Sequence, residues 1–174
     1  MFGMEFFFVI CIMAPSTGQK LSLVIEKVWI NDLLYEEIER YKKISSKRNI
    51  SINIEPPPSI AIEGDLHWLG IVISNILDNA IKFSPKNSTV TVQLNEQVNH
   101  IQFSIIDQGS GIPENQIERV TKRFYRWKPT SAKQGSGLGL AIVDEIVSAH
   151  KGEITFSNLP EGGLKVSVEL PINV

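Results

Sequence analysis

The chain has 174 residues, of which 43% are hydrophobic and 21% are charged. This is the length of one ordinary domain, and the apolar fraction excludes a disordered chain. The 17 basic and 19 acidic residues give a formal net charge of -2, which excludes a general positive field for nucleic acid. The single cysteine, Cys11, excludes an internal disulfide, and no Cys/His cluster has the spacing of a zinc site.

The first twenty residues differ from the rest of the sequence. An unbroken apolar run, Phe6 to Ala14, is far shorter than the roughly 20 residues of a membrane-spanning helix. A secretory signal would have basic residues ahead of such a run, but only Glu5 carries a side-chain charge there. Residues 1–20 are interpreted as lying outside the domain, as a tag, a truncation scar or non-native start, or a remnant of a membrane segment. The domain is expected over residues 21–174.

From about Val28 onward, helix-like and strand-like patterns alternate. An amphipathic helix capped by Asn31 or Asp32 leads in and ends in basic residues near Arg48. The run Pro56–Pro58 separates the first two strands. In chain order, the other predicted elements are strands at Ile50–Ile54 and Ile60–Ile62, a helix at about Asp65–Phe83, a hairpin of strands at Val90–Leu94 and Ile101–Ile105, a helix at about Leu138–His150, and strands at Glu153–Ser157 and Leu164–Leu170.

This order of elements predicts an α+β fold in the form of a two-layer α/β sandwich. Helices are expected on one face of a mixed, mostly antiparallel sheet, and the other face is expected to be partly exposed to solvent. A polar, glycine-rich stretch from Gln108 to Gly137 separates the central hairpin from the last helix. Because one fold hosts many functions, function has to be inferred from individual sites.

The long helix carries a polar stripe. At 100° per residue, Asn75, Asn79 and Lys82 fall within about 60° of one another around the helix axis. Two carboxamide oxygens suit Mg²⁺ that keeps waters and phosphate ligands, and the ammonium group suits a phosphate. A solvated helix face is the alternative interpretation. The buried face of the same helix is predicted to consist of Leu66, Leu69, Ile73, Ile76, Leu77 and Ala80.

Two glycine-containing segments are further candidate sites. Asp107 follows the strand Ile101–Ile105 and is itself followed by Gly109 and Gly111, so its carboxylate can accept a hydrogen bond from an exocyclic amine while backbone approaches a planar ligand. An Asp-initiated turn is the alternative. The segment Gly135–Leu140 leads directly into a helix, where free N–H groups favour a phosphate. No Gly-x-x-x-x-Gly-Lys-Ser/Thr motif is present.

The order and identity of these motifs resemble the ATP-binding catalytic domain of bacterial sensor histidine kinases, within the gyrase, Hsp90, histidine kinase and MutL ATPase superfamily and its Bergerat-type fold. Asn75 to Ser84 is similar to the N box, and Asp107 to Gly111 to the G1 box. Gly135 to Gly139 is similar to the G2 box, and Arg123 to Arg126 to the end of the F box. The resemblance covers about residues 28–174.

The resemblance implies binding of ATP and Mg²⁺. Asn79 and Asn75 are implied to hold the metal, Lys82 to touch a phosphate, and Asp107 to accept the adenine amino group. Arg126 is implied to reach the γ-phosphate, with Lys82 as the second catalytic residue and the segment 112–134 as a lid over the nucleotide. The remaining implied cofactor-binding residues are Gly109, Gly111, Gly135, Gly137, Leu138 and Gly139.

The sequence also departs from the family pattern. His67, His100 and His150 do not lie in the context of the phosphate-accepting histidine and are interpreted as structural or surface residues. In the hydrolases of the superfamily a glutamate one turn before the first N-box asparagine activates water, and that position here is Ile71. Since isoleucine is no general base, transfer to a protein side chain is favoured over hydrolysis.

The resemblance therefore implies the catalytic domain of a two-component sensor histidine kinase. It implies phosphoryl transfer to a histidine on a separate dimerisation hairpin, relay to a response regulator, a homodimeric full-length protein and a monomeric isolated domain. It also implies a cytoplasmic domain of a protein anchored in the inner membrane. A superfamily ATPase, an anti-sigma-type serine kinase and a nucleotide-binding interaction module are the alternatives.

Overall fold

The computed structural model describes residues 21–125 and 137–173. The interpretation of residues 1–20 therefore lies outside the described residues. In chain order the elements are β1 (Glu26–Trp29), α1 (Ile30–Ser46), β2 (Ser51–Ile54), β3 (Ala61–Gly64), α2 (Leu66–Phe83), β4 (Thr89–Glu96), β5 (His100–Ile106), α3 (Glu114–Ile117), α4 (Gly139–Ala149), β6 (Glu153–Asn158) and β7 (Leu164–Pro171).

The main sheet has five strands in the order β2-β4-β5-β7-β6. Among the described strands of this sheet, β2 and β4 pair in parallel, and the other three pairs are antiparallel. The predicted α+β class and mixed, mostly antiparallel sheet are confirmed. The predicted strand near Ile60 is also present, but β3 pairs with β1 in a separate two-stranded sheet. The sequence analysis did not predict β1, in which only Val28 is buried.

One hydrophobic core joins the sheet to helices α1, α2 and α4. Along β4 the apolar residues Val90, Val92 and Leu94 are buried, while the alternate residues are not. This period of two places one face of the strand against the helices and the other toward solvent. Burial of each large aliphatic side chain contributes about 1.5–3 kcal/mol to stability. The core therefore fixes the strands and helices, and these fix the ends of the loops that connect them.

Several local predictions were wrong in detail. Helix α1 begins at Ile30 and has no side-chain cap, because the Asn31 Oδ1 atom instead accepts the backbone N–H of Ile60 at 3.2 Å. Leu66, predicted in the buried face of α2, is 46% exposed, since it lies at the first residue of the helix. Strand β5, predicted from Ile101, begins one residue earlier, at His100.

The stretch from Gln108 to Gly137 contains an unpredicted short helix, α3. Tyr125 closes the turns that follow α3, because its hydroxyl donates to the Gln116 side chain. The Arg119 guanidinium lies 4.7 Å from the centre of the Tyr125 ring. Within the described residues, no helix combines the length and apolar character needed to cross a membrane.

Candidate functional site

Helix α2 places its polar stripe beside the start of α4. Asp65 caps α2 by accepting the Trp68 N–H at 3.1 Å, and the helix continues to Phe83. Asn75, Asn79 and Lys82 are half-buried. The Asn75 Nδ2 donates to the Ile71 carbonyl at 2.8 Å, so the Asn75 Oδ1 atom takes no part in this hydrogen bond. A Cβ built on Gly139 would lie 2.8 Å from that oxygen, so the first turn of α4 lies against Asn75.

Asp107 is buried directly after β5, with 5% of its surface exposed. Its Oδ1 atom accepts the Gly109 N–H at 2.7 Å and the Leu164 N–H at 3.3 Å. Within the described part of the chain, these side-chain hydrogen bonds all end on Oδ1, so the geometry leaves Oδ2 for a donor on a ligand. Burial raises the pKa of the Asp107 carboxyl above its ordinary value, and the two backbone hydrogen bonds oppose part of that rise.

The loop after Asp107 lies against the C-terminal end of α2. A Cβ on Gly109 would lie 2.9 Å from the Phe83 carbonyl oxygen and 2.9 Å from the Asp107 Oδ1 atom. Backbone therefore occupies the space that a side chain at this position would need. Gly111 has a φ of 66°, which disfavours other residues there. The structure thus brings the predicted carboxylate loop and the polar stripe of α2 to the same end of the sheet.

The glycine segment before α4 is described only in part. Gly137 has a φ of 73°, and the helix begins at Gly139 with Leu138, whose side chain has no capping group, at its N-cap position. Backbone N–H groups at such a helix start are suited to an anion. Gly135 and Arg126, predicted to bind nucleotide and to reach the γ-phosphate, lie outside the described residues.

The residues just before Arg126 are attached to α4. The Arg123 guanidinium lies 3.1 Å from the Glu145 carboxylate. Phe124 is 72% exposed and has a φ of 61°, an uncommon conformation for a residue with a large side chain. The described part of the predicted lid segment thus begins beside the carboxylate loop and reaches α4.

The three histidines do not form a catalytic group. His150 is fully buried, and its Nε2 accepts the backbone N–H of Asp65 at 3.0 Å. Its Nδ1 lies 2.8 Å from the Ile146 carbonyl, so Nδ1 carries the proton. His67 and His100 lie elsewhere, on the exposed start of α2 and in strand β5. The interpretation of His150 as a structural residue agrees with this geometry.

Three residues that shape the site were not predicted from the sequence. Arg48 was assigned to the end of α1, but its guanidinium donates to the Ile81 and Ser84 carbonyls at the C-terminal end of α2. Leu164 was assigned only to a strand, yet its N–H reaches Asp107. Asn158 ends β6 and binds the main chain of Ile112. The only sequence signal near these contacts is the glycine pair before Leu164, which is typical of a turn.

The chain is similar to known proteins along most of its length. Residues 64–174 match the family described as histidine kinase-, DNA gyrase B-, and HSP90-like ATPase. The sensor histidine kinase TmoS of Ectopseudomonas mendocina is 32% identical over 164 residues, which cover 92% of this chain and 17% of that protein. The chain spans between 16% and 40% of the length of the first curated relatives that it matches.

Solved structures agree with this assignment. The mycobacterial sensor histidine kinase MprB is 32% identical with a TM-score of 0.77, and the match covers 85% of this chain and 97% of that one. Full-length ShkA in complex with AMPPNP has the same fold, with a TM-score of 0.78 at 24% identity, covering 88% of this chain and 32% of that chain. The predicted resemblance to the catalytic domain of sensor histidine kinases is confirmed. The chain belongs to the histidine kinase-, DNA gyrase B-, and HSP90-like ATPase family.

Proposed function

We propose that this chain binds ATP with Mg²⁺ and transfers the γ-phosphoryl group to a histidine on a helical hairpin of the whole protein. The observation that carries the proposal is the buried Asp107 carboxylate, whose Oδ1 is fixed by two backbone N–H groups while Oδ2 is left for a ligand. A buried acceptor with one oxygen held by the main chain suits the exocyclic amine of adenine. Gly109 and Gly111 provide the adjoining backbone without side chains.

The other end of the site suits phosphates. Lys82 supplies a positive charge, and the first turn of α4 supplies backbone N–H groups. The carboxamide oxygens of Asn75 and Asn79 fit Mg²⁺, which prefers oxygen ligands and keeps waters and phosphate oxygens in its shell. The described residues contain no cluster of three His, Cys, Asp or Glu side chains that would hold a metal without the nucleotide. Bound Mg²⁺ supplies charge neutralisation for the phosphoryl group.

Transfer to a protein side chain is favoured over hydrolysis. Ile71 lies one turn before Asn75, and its carbonyl accepts the Asn75 amide. Its side chain cannot accept a proton from water, so this turn of α2 carries no general base at that position. In the proposed reaction the bond from the γ-phosphorus to the bridging oxygen breaks, a phosphorus–nitrogen bond to the neutral imidazole forms, the ring proton passes to water, and ADP leaves. Arg126 is proposed to stabilise the developing charge.

The activity of the whole protein follows as part of the same proposal. The hairpin that carries the acceptor histidine is proposed to form the dimer, and the phosphoryl group is proposed to pass from it to an aspartate of a response regulator. A cytoplasmic position of this domain and an anchor in the inner membrane are proposed likewise. The names of the relatives as sensor histidine kinases support the transfer to a histidine.

The experiment combines this chain, γ-labelled ATP and Mg²⁺ with the histidine-bearing hairpin supplied as a separate protein. We expect an acid-labile label on the hairpin, because phosphohistidine is hydrolysed in acid. A hairpin with its histidine replaced by glutamine is the matched control and should stay unlabelled. An acid-stable label would indicate a serine kinase, steady phosphate release from the chain alone would indicate an ATPase, and absence of ATP binding in calorimetry would indicate an interaction module. Each of these three results would overturn the proposed transfer.

A further inference from the structure

The turn between β6 and β7, residues 159–163, and the strand residues Asn158 and Leu164 on either side of it lie along the loop that follows β5. At one end of the loop, Asp107 and Leu164 exchange two hydrogen bonds: the Asp107 N–H donates to the Leu164 carbonyl at 2.9 Å, and the Leu164 N–H donates to the Asp107 carboxylate at 3.3 Å. A Cβ on Gly163 would lie 2.1 Å from the Asp107 carbonyl oxygen. The turn and the loop are therefore in backbone-to-backbone contact at this end.

At the other end of the loop, the side-chain hydrogen bonds seen among the described residues come from Asn158. The Asn158 Oδ1 atom accepts the Ile112 N–H at 2.8 Å, and the Asn158 Nδ2 donates to the Ile112 carbonyl at 2.6 Å. A single carboxamide thus satisfies both main-chain polar groups of Ile112, as a neighbouring strand would do. These two bonds fix the position at which the loop ends and α3 begins.

Gly111 lies directly against this carboxamide. A Cβ on Gly111 would lie 2.4 Å from the Asn158 Oδ1 atom, and the residue has a φ of 66°. The loop therefore approaches Asn158 more closely than any residue with a side chain permits. The Asp107 end is held by backbone and by the Gln108 side chain, whose Oε1 accepts the Thr89 N–H at 2.8 Å. At the Gly111 end, beside the Gly163 carbonyl, Asn158 supplies the two side-chain hydrogen bonds to Ile112.

We propose that Asn158 is a positioning residue for nucleotide recognition: through Ile112 it holds the loop 107–112 in the conformation that presents the Asp107 carboxylate and the Gly109–Gly111 backbone to the base. The inference rests on the proposed function, because it assigns the loop to adenine. Asn158 makes no direct contact with the base in this scheme. It selects adenine by fixing the distance and direction of the groups that contact it.

The test measures ATP and GTP affinities of Asn158→Ala by titration calorimetry, with the melting temperature recorded without nucleotide. We expect the Kd for ATP to rise about tenfold, as for loss of one or two neutral hydrogen bonds. The Kd for GTP should change little, because guanine has a carbonyl where adenine has the amine. The ratio of the two Kd values should therefore fall, while the melting temperature stays close to that of the wild type because Asn158 is exposed.

The matched control is Asn99→Ala, an exposed asparagine in the β4–β5 turn at the opposite end of β5, which should leave both affinities unchanged. A second variant, Asn158→Asp, keeps the acceptor for the Ile112 N–H but cannot donate to the Ile112 carbonyl. It should also lower the ratio of the Kd for GTP to the Kd for ATP. If Asn158→Ala does not fold, Asn158→Asp provides the test. An unchanged ratio in a folded variant overturns this inference alone. A wild-type chain that binds no ATP overturns the proposed function, and this inference with it.

Discussion

The two ends of the proposed nucleotide site are built in different ways. At the base end, Asp107 and Gly109 are fixed by main-chain atoms of Leu164 and Phe83. At the phosphate end, the side chain of Asn75 on α2 lies against Gly139 on α4. Backbone contacts cannot shift without moving a strand or a helix, whereas a side-chain end can change rotamer. The same substitution should therefore cost more at the base end than at the phosphate end.

The largest effect is expected for Asp107→Asn, which tests the base end directly. The variant keeps an oxygen for the two backbone N–H groups but places an amide donor where the free carboxylate oxygen lies. Loss of a charged hydrogen bond costs roughly 1.5–3 kcal/mol, so ATP affinity should fall about 10- to 150-fold. Thermal-shift measurement with and without ATP checks this. In the same assay, Asp107→Ala should abolish the stabilisation by nucleotide.

The control for Asp107→Asn is Asp78→Asn, an exposed carboxylate on α2 within the same motif. It should keep the wild-type thermal shift. If Asp107→Asn retained the full shift as well, the assignment of this carboxylate to the base would be wrong.

A matched pair of glycine substitutions tests the comparison between the two ends. Gly109→Ala places a Cβ 2.9 Å from the Phe83 carbonyl oxygen, whereas Gly139→Ala places one 2.8 Å from the end of the Asn75 side chain. We expect Gly109→Ala to lower the free energy of unfolding by about 1–3 kcal/mol, as overpacking against rigid neighbours does, and Gly139→Ala by less than about 1 kcal/mol. Urea denaturation without nucleotide measures both. Equal losses in the free energy of unfolding for the two variants would show that the base end is no more rigid than the phosphate end.

Arg48→Met tests how the C-terminal end of α2 is held. The substitution removes the donors to the Ile81 and Ser84 carbonyls, so we expect a loss of about 1–2 kcal/mol in the free energy of unfolding. The exposed neighbour Lys47 provides the control, and Lys47→Met should have almost no effect. A similar stability for the two variants in urea denaturation would show that Arg48 does not stabilise the helix end.

The smallest effect is expected for the pH dependence of stability that Asp107 contributes. Its pKa is raised in the folded chain by burial, so the folded state binds a proton that the unfolded state releases at the ordinary value of 3.8. The contribution of Asp107 therefore falls as pH rises from 3.8 through the raised pKa, and it is constant above that. Asp107→Asn without nucleotide should gain stability relative to the wild type across this range in urea denaturation. A difference that does not depend on pH would contradict the raised pKa.

Most of the fold could be predicted because the signals are local. The period of 3.6 residues in α2 and the period of two in β4 and β5 place apolar side chains on one face, and these faces form the core. The predicted site residues Asn75, Asp107 and Gly139 also follow from short motifs. The cap of α1 was predicted wrongly because the Asn31 Oδ1 atom accepts the N–H of Ile60, 29 residues away.

The class of fold, the polar stripe of α2 and the loop after β5 could be predicted from the sequence, since each depends on residues close together along the chain. How that loop is held became visible only in the folded structure. Asn158 and Ile112 are separated by 46 residues, Leu164 and Asp107 by 57, and Arg48 and Ser84 by 36. Such pairs carry no local pattern, because the hydrogen bonds exist only after the β-hairpin and the helices have packed. Main-chain N–H and C=O groups are shared by nearly all residues, so their partners depend on position in the fold and not on residue type.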